Sequence, residues 1–152
     1  MIEYIEESSL KREITEKMLN ELSLWFGLED SINEYVANVS DCTFFVYKNK
    51  NGEVIGFYAL KPTSDVVLEI YVCGVLESYH RHGIGRLMFE EAIDVAKKNN
   101  YKYIQVKTVQ SGYYDSYDKT NSYYQSLGFD QFEVIPDLWD EHNPCQIYIY
   151  SV

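Results

Sequence analysis

Apolar positions recur first at helical spacing and later, beyond about residue 40, mostly in runs and alternations of strand length. Ile2 to Ile5 reads as a short first strand. Ser8 or Ser9 would cap a helix in which Leu10, Ile14, Met18, Leu22 and Trp25 recur at helical spacing, and Gly27 ends it. A second short helix is expected from about Asp30 to Val39. Cys42 to Tyr47 and Val54 to Leu60 read as two strands, with Asn51-Gly52 between them as a hairpin signal.

Val66 to Val75 is a long strand run, followed by a glycine-containing turn and a helix from about Gly83 to Asn99. The buried face of that helix is expected to carry Ile84, Leu87, Met88, Ala92, Val95 and Ala96. Tyr103 to Thr108 is the next strand. A strand, helix, strand order of this kind predicts a right-handed crossover and two parallel strands. A Tyr-rich loop, a helix from about Tyr117 to Leu127 closed by Gly128, and strands over Phe129 to Ile135 and Gln146 to Tyr150 complete the chain. Pro62, Pro136 and Pro144 fall where turns are expected. The sum is an α/β (α+β) fold, with a mixed, mostly antiparallel central sheet and helices on its faces.

Length and composition support one unit. The chain has 152 residues, 46% of them hydrophobic and 24% charged, with no linker or repeat, so a single domain over 1–152 is expected. Met1 to Arg12 lacks the continuous apolar run of a signal peptide, and no later stretch is long enough to span a membrane. Cys42, Cys73 and Cys145 form no CxxC pair and read as reduced packing residues, which suits the cytoplasm. The net charge of -11 would repel a nucleic-acid backbone and attract a cationic molecule. Any bound phosphate must therefore be met locally.

The stretch that could do so is Tyr79-His80-Arg81-His82-Gly83-Ile84-Gly85-Arg86, which follows a strand and opens a helix. First-turn N–H groups have no partner within a helix, and the macrodipole adds positive potential, so such an end receives anions. Gly83 and Gly85 let the backbone approach, while Arg81 and Arg86 add charge and paired donors, an arrangement that fits a diphosphate. A Rossmann fingerprint would need glycine where Met88 stands, and the P-loop pattern is absent. On the residues alone, the alternative is a plain strand-to-helix turn. His80 and His82 have no third ligand at useful spacing, so no metal is expected.

At these residues the chain resembles small bacterial-type members of the GNAT N-acetyltransferase superfamily, whose signature Q/R-x-x-G-x-G/A opens the helix after the fourth strand. Here it reads His80-Arg81-His82-Gly83-Ile84-Gly85, with His80 where Gln or Arg is usual. A second block, Asn121-Ser122-Tyr123-Tyr124-Gln125-Ser126-Leu127-Gly128-Phe129, resembles the family's later motif ending in Y-x-x-L-G-F. The resemblance implies acetyl-CoA as co-substrate, with the cofactor contacted by His80 to Arg86 and Asn121. It also implies pantetheine between the strands Val66 to Val75 and Tyr103 to Thr108, bonded to backbone near Cys73 and Val75. A backbone N–H around Val75 would polarise the thioester carbonyl.

By the same resemblance Tyr124 is the general acid, a phenol protonated at neutral pH. The alternative for Tyr124 is an ordinary buried aromatic. Glu69 stands in the apolar run Val66 to Val72, and period two puts it on one strand face with Tyr71 and Cys73. It is either the base that takes the amine proton or a structural partner of a cation or hydroxyl. Trp25, Phe26 and Trp139-Asp140-Glu141-His142 hold positions that line the acceptor side in this family, and the alternative for them is a helix end in the core and a solvated acidic loop. The expected activity is direct acetyl transfer to a small, cationic amine, and a homodimer is the default assembly. The rival readings are a non-catalytic acyl-CoA-binding module and a nucleotide-binding protein using the same turn.

Overall fold

The computed structural model describes residues 1–22 and 29–152. Trp25, Phe26 and Gly27 thus lie outside the described residues. The elements run β1 (Ile2–Tyr4), α1 (Ser8–Glu21), α2 (Glu29–Asn38), β2 (Thr43–Lys48), β3 (Val54–Pro62) and β4 (Val67–Val75). A 3-10 turn at Glu77–Tyr79 follows, then α3 (Ile84–Lys98), β5 (Tyr103–Val109), α4 (Asp115–Leu127), β6 (Asp130–Asp140) and β7 (Asn143–Ser151). The sheet order is β1-β2-β3-β4-β5-β7-β6, and the sheet is mixed, as the alternation of elements implies. The chain forms two compact units.

The first unit comprises Met1–Lys61 and Ile70–Ala92. Antiparallel pairing of β1 with β2 and of β2 with β3 sets its register, with Phe45 opposite Tyr58 and Phe44 opposite Ala59. Alternate residues therefore share a face, and Phe44, Val46, Phe57 and Ala59 meet Ile14, Met18 and Leu19 of α1 and Ile32 of α2 in one buried cluster. Lys11 is buried on the same helix because its ammonium donates to the carbonyls of Ser40 (3.1 Å) and Cys42 (2.8 Å), which close the turn before β2. The β2–β3 hairpin is organised by Asn49. Its Oδ1 accepts the N–H groups of Asn51 (2.9 Å) and Glu53 (3.0 Å), so the loop is longer than an Asn51-Gly52 turn alone would make it.

Three expected core positions differ, Val95 being only half-buried. Leu87 is 46% exposed and Leu10 is 36% exposed. On α3 the buried stripe runs through Ile84, Met88, Ala92 and Ala96, each four residues on, and Phe89 joins it at 2% exposure, leaving Leu87 off the stripe.

The second unit comprises Pro62–Glu69 and Ile93–Val152. In it β7 pairs antiparallel with both β5 and β6. α4 begins at Asp115, earlier than expected, with Asp115 and Asp118 in its first turn to complement the helix dipole and Gly128 in the left-handed region at its end. The β6–β7 hairpin is longer than the hydrophobic pattern suggests. It narrows to Glu141-His142 at the tip, where the Asp140 carboxylate accepts the His142 N–H (2.8 Å) and the Asn143 side-chain amide (2.9 Å). Pro136 and Pro144 consequently lie within strand spans rather than in turns. β6 is at the sheet edge and its register shifts between Ile135 and Asp140, which is where a residue without an N–H is tolerated.

Candidate active site

Strand β4 ends at Val75 and the chain turns through Glu77–Tyr79 into the glycine-bearing segment. Gly83 caps α3, its carbonyl accepting the Leu87 N–H at 3.1 Å, and its φ is 79°. A Cβ built on Gly83 would meet nothing within 4 Å, so the space over the helix end is open to an approaching ligand. This is a cradle that a side chain would occupy, and it fits a phosphate group. Arg81 also has positive φ, 66°, a conformation that costs a non-glycine residue about 1–3 kcal/mol and that no sequence signal announced.

The signature side chains divide into two groups. Arg81, His82 and Arg86 are exposed at the helix end, whereas His80 is half-buried. His80 Nε2 lies 2.7 Å from the Val75 carbonyl oxygen, and since a carbonyl only accepts, this nitrogen carries the proton. Tyr79 accepts a bond from the Asn49 side-chain amide (3.1 Å), and its ring meets His82 edge-on at 6.3 Å. These contacts fix the turn against the β2–β3 hairpin. A pocket of about 480 Å³ lies beside it, lined by Lys48, Asn49, Lys50, Ile55, Tyr79 and His82 among others.

On β4, Tyr71 and Cys73 are half-buried in the first unit. The Lys61 ammonium sits 4.0 Å from the Tyr71 ring centre, and Tyr35 packs edge-on against the same ring at 5.2 Å.

Glu69 belongs to the second unit and is 4% exposed. Its Oε1 is 3.1 Å from Lys107 Nζ, and the Gln105 amide approaches the same oxygen at 3.5 Å. Neither partner was identified from the sequence. Period two puts Gln105 and Lys107 together on the face of β5 opposite Ile104 and Val106, but it does not pair that face with Glu69. Cys145, opposite Val109, is pushed up to about 11 chiefly by burial, the nearby Lys107 opposing and Glu69 adding to the effect.

Tyr124 is 5% exposed on α4, among the rings of Tyr123 (5.3 Å), Phe129 (5.6 Å) and Tyr148 (5.9 Å). Asn121, one turn earlier, bonds within the protein: its amide donates to the carbonyls of Val109 (2.8 Å) and Tyr117 (2.6 Å), and its oxygen accepts the Tyr148 hydroxyl. Both amide hydrogens are thereby engaged. Tyr148, which the pattern of β7 marked only as a strand residue, also receives the Gln125 amide at 3.3 Å. Burial, aided by Tyr114, raises the Tyr117 phenol.

Trp139 to His142 form the exposed hairpin tip, and Asp140 is held below the usual carboxylate range by its bonds from Asn143 and His142. Among the described residues, no group of three or more His, Cys, Asp and Glu side chains is placed to hold a metal ion. None of the described helices is long and apolar enough to cross a membrane.

Comparison with known proteins bears on the family and the fold. The model of the Acetyltransferase (GNAT) family matches residues 6–129. An uncharacterised N-acetyltransferase of Chlorobaculum tepidum is 33% identical over 87 residues, 57% of this chain, and the match spans about half (54%) of that relative's length. Among solved structures, an aminoglycoside 6'-N-acetyltransferase complexed with coenzyme A superposes with a TM-score of 0.78 at 15% identity, over 99% of this chain and 96% of that one. An IAA acetyltransferase from Bacillus cereus gives 0.74 at 24% identity, over 100% and 99% of the two chains. The structural neighbours share the fold, the family model shares the sequence, and the chain belongs to the GNAT acetyltransferase family.

Proposed function

We propose that the chain is an acetyl-CoA-dependent N-acetyltransferase that passes acetyl directly to a small, cationic amine, with residues 1–152 acting as one domain. The observation that carries this reading is the cradle at Gly83, open above a helix N-terminus and flanked by Arg81 and Arg86, in a chain whose net charge is otherwise -11. In so acidic a protein, two guanidinium groups beside an open helix N-terminus would meet a phosphate locally, against an unfavourable overall field.

Acetyl-CoA would supply the activated acyl group as a thioester. The first-turn N–H groups of α3, with Arg81 and Arg86, receive the pyrophosphate, and the β4 backbone near Cys73 aligns the pantetheine arm. Val75 N–H donates to the thioester carbonyl as negative charge grows on its oxygen. Tyr124 gives its phenolic proton to the departing thiolate. Glu69 takes the amine proton, directly or through water. An amine with a lysine-like pKa of about 10.4 is almost wholly protonated at neutral pH, so the rate rises toward alkaline pH. Asn121 braces α4 against β5 and β7 instead of donating to the cofactor, because its amide hydrogens already have protein partners.

The choice of a cationic acceptor is supported by the acidity of the chain and by the ionised Asp140 at the hairpin tip. It is also supported by the fold likeness to an enzyme named for aminoglycoside acetylation. The test is thiol release from acetyl-CoA with a panel of polyamines, aminoglycosides, amino acids and peptides, followed by mass measurement of the acceptor. Acceptor-dependent release with a gain of one acetyl group is expected. Binding of CoA without turnover on the whole panel would favour a non-catalytic acyl-CoA module.

A further inference from the structure

We infer that His80 is a positioning residue that sets the backbone at the end of β4 rather than a side chain that contacts the cofactor. The inference rests on the proposed role of Val75 N–H toward the thioester.

The peptide group joining Val75 to Leu76 is held at both ends. His80 Nε2–H donates to its carbonyl oxygen at 2.7 Å, and its N–H, that of Leu76, donates to the Ile55 carbonyl on β3 at 2.9 Å. A peptide group is a rigid plane, so fixing its oxygen and its hydrogen fixes the ψ angle of Val75. The strand just before this plane has little room to adjust. A Cβ on Gly74 would lie 2.6 Å from Leu22 Cδ1, and one on Gly56 would meet the Gly74 carbonyl at 3.4 Å and Val75 Cγ2 at 3.5 Å. Val75 is therefore clamped between a close backbone approach and a doubly bonded peptide, and His80 supplies the only one of these restraints that comes from a polar side chain among those described.

The clamp also links two tasks. His80 begins the segment in which Arg81 takes positive φ and Gly83 caps α3. One imidazole thus ties the start of the phosphate turn to the residue proposed to polarise the thioester. The loop His80 closes is short, five residues, so holding it costs little chain entropy. This also accounts for the signature's unusual first position. The Nε atom of glutamine reaches the same place as His Nε2 and donates in the same way, so histidine here keeps a donor at the right distance from the backbone.

Steady-state kinetics of wild type, H80A and H80Q, together with calorimetric binding of CoA and backbone amide spectra, test the inference. In H80A, kcat falls about tenfold while CoA affinity stays within about twofold, and H80Q returns kcat to within about threefold of wild type. The amide resonances of Val75 and Leu76 move in H80A and return in H80Q. Unchanged kcat in H80A, loss of CoA affinity in place of kcat, or failure of glutamine to restore the rate would each overturn the positioning role. If wild type binds CoA but does not turn over, the proposed function fails separately, and the Val75 and Leu76 resonances alone decide whether His80 sets this backbone.

Discussion

Glu69 and Lys107 form an ion pair of 3.1 Å in which the carboxylate is buried and the ammonium is about a third exposed. Removing the cation takes this counter-charge from a buried carboxylate, which costs about 3–5 kcal/mol in a fully buried pair and less where one partner reaches solvent or other partners remain. K107M is expected to lose about 1–3 kcal/mol in urea unfolding, and the E69Q/K107M double variant to lose less than the sum of the single changes. The kinetics of E69Q separate its two roles. A base predicts a fall in kcat on the order of 100-fold with the alkaline rise altered, whereas a purely structural partner predicts lost stability at near-normal kcat.

Tyr124 is seated among the rings of Tyr123, Phe129 and Tyr148, and Y124F removes only its hydroxyl. Turnover in Y124F is expected to fall on the order of 10–100-fold with CoA affinity nearly intact. A wild-type rate in this variant would return Tyr124 to the role of a packing aromatic.

Substitution at Gly83 acts through two effects. The positive φ of 79° strains any side chain there, and a β-branched one most, while the added atoms occupy the space through which a phosphate approaches. G83V should weaken CoA binding at least tenfold, by about 1.4 kcal/mol or more, with G83A intermediate. Calorimetry on protein shown to be folded by its melting curve checks this, and unchanged affinity would remove the pyrophosphate from the turn.

The three thiols differ in reach. Cys42 and Cys145 are buried and Cys73 is half-buried, and Cys145 titrates near 11, so at pH 8 its reactive thiolate is scarce. Disulfide-exchange labelling should modify Cys73 first. Saturating CoA should slow that reaction, since the proposed path of pantetheine runs along the backbone there. Equal rates at all three positions, or no protection of Cys73, would contradict this part of the assignment.

The order of elements was legible because the core imposes its period on the sequence. Phe44 and Val46, Phe57 and Ala59, and Ile84, Met88 and Ala92 repeat at the spacing of their strands and helix and are buried accordingly. The turn was legible for a different reason, since Gly83 stands at a helix start with positive φ, a conformation that glycine adopts without strain. What escaped was decided by distant polar partners. The burial of Lys11 depends on carbonyls about thirty residues away, and Glu69 acquires Lys107 and Gln105 only when β5 is in place. The outer half of the β6–β7 hairpin escaped because its residues are mostly exposed and carry no apolar alternation. It is closed instead by the Asp140 carboxylate. His80 was legible as a signature residue, but its bond to Val75 depends on the Glu77–Tyr79 turn bringing the imidazole back to the strand end.

The central claim is that this turn is a coenzyme A site, and the most direct measurement is the melting temperature of the purified chain with CoA, acetyl-CoA, ATP and NAD in turn. A ligand at 100 times its Kd stabilises by about 2.7 kcal/mol, which amounts to a shift of several degrees for a chain of this size. That shift is expected with CoA and acetyl-CoA, and a much smaller one with ATP or NAD. No shift with CoA, or a larger one with either nucleotide, would contradict it.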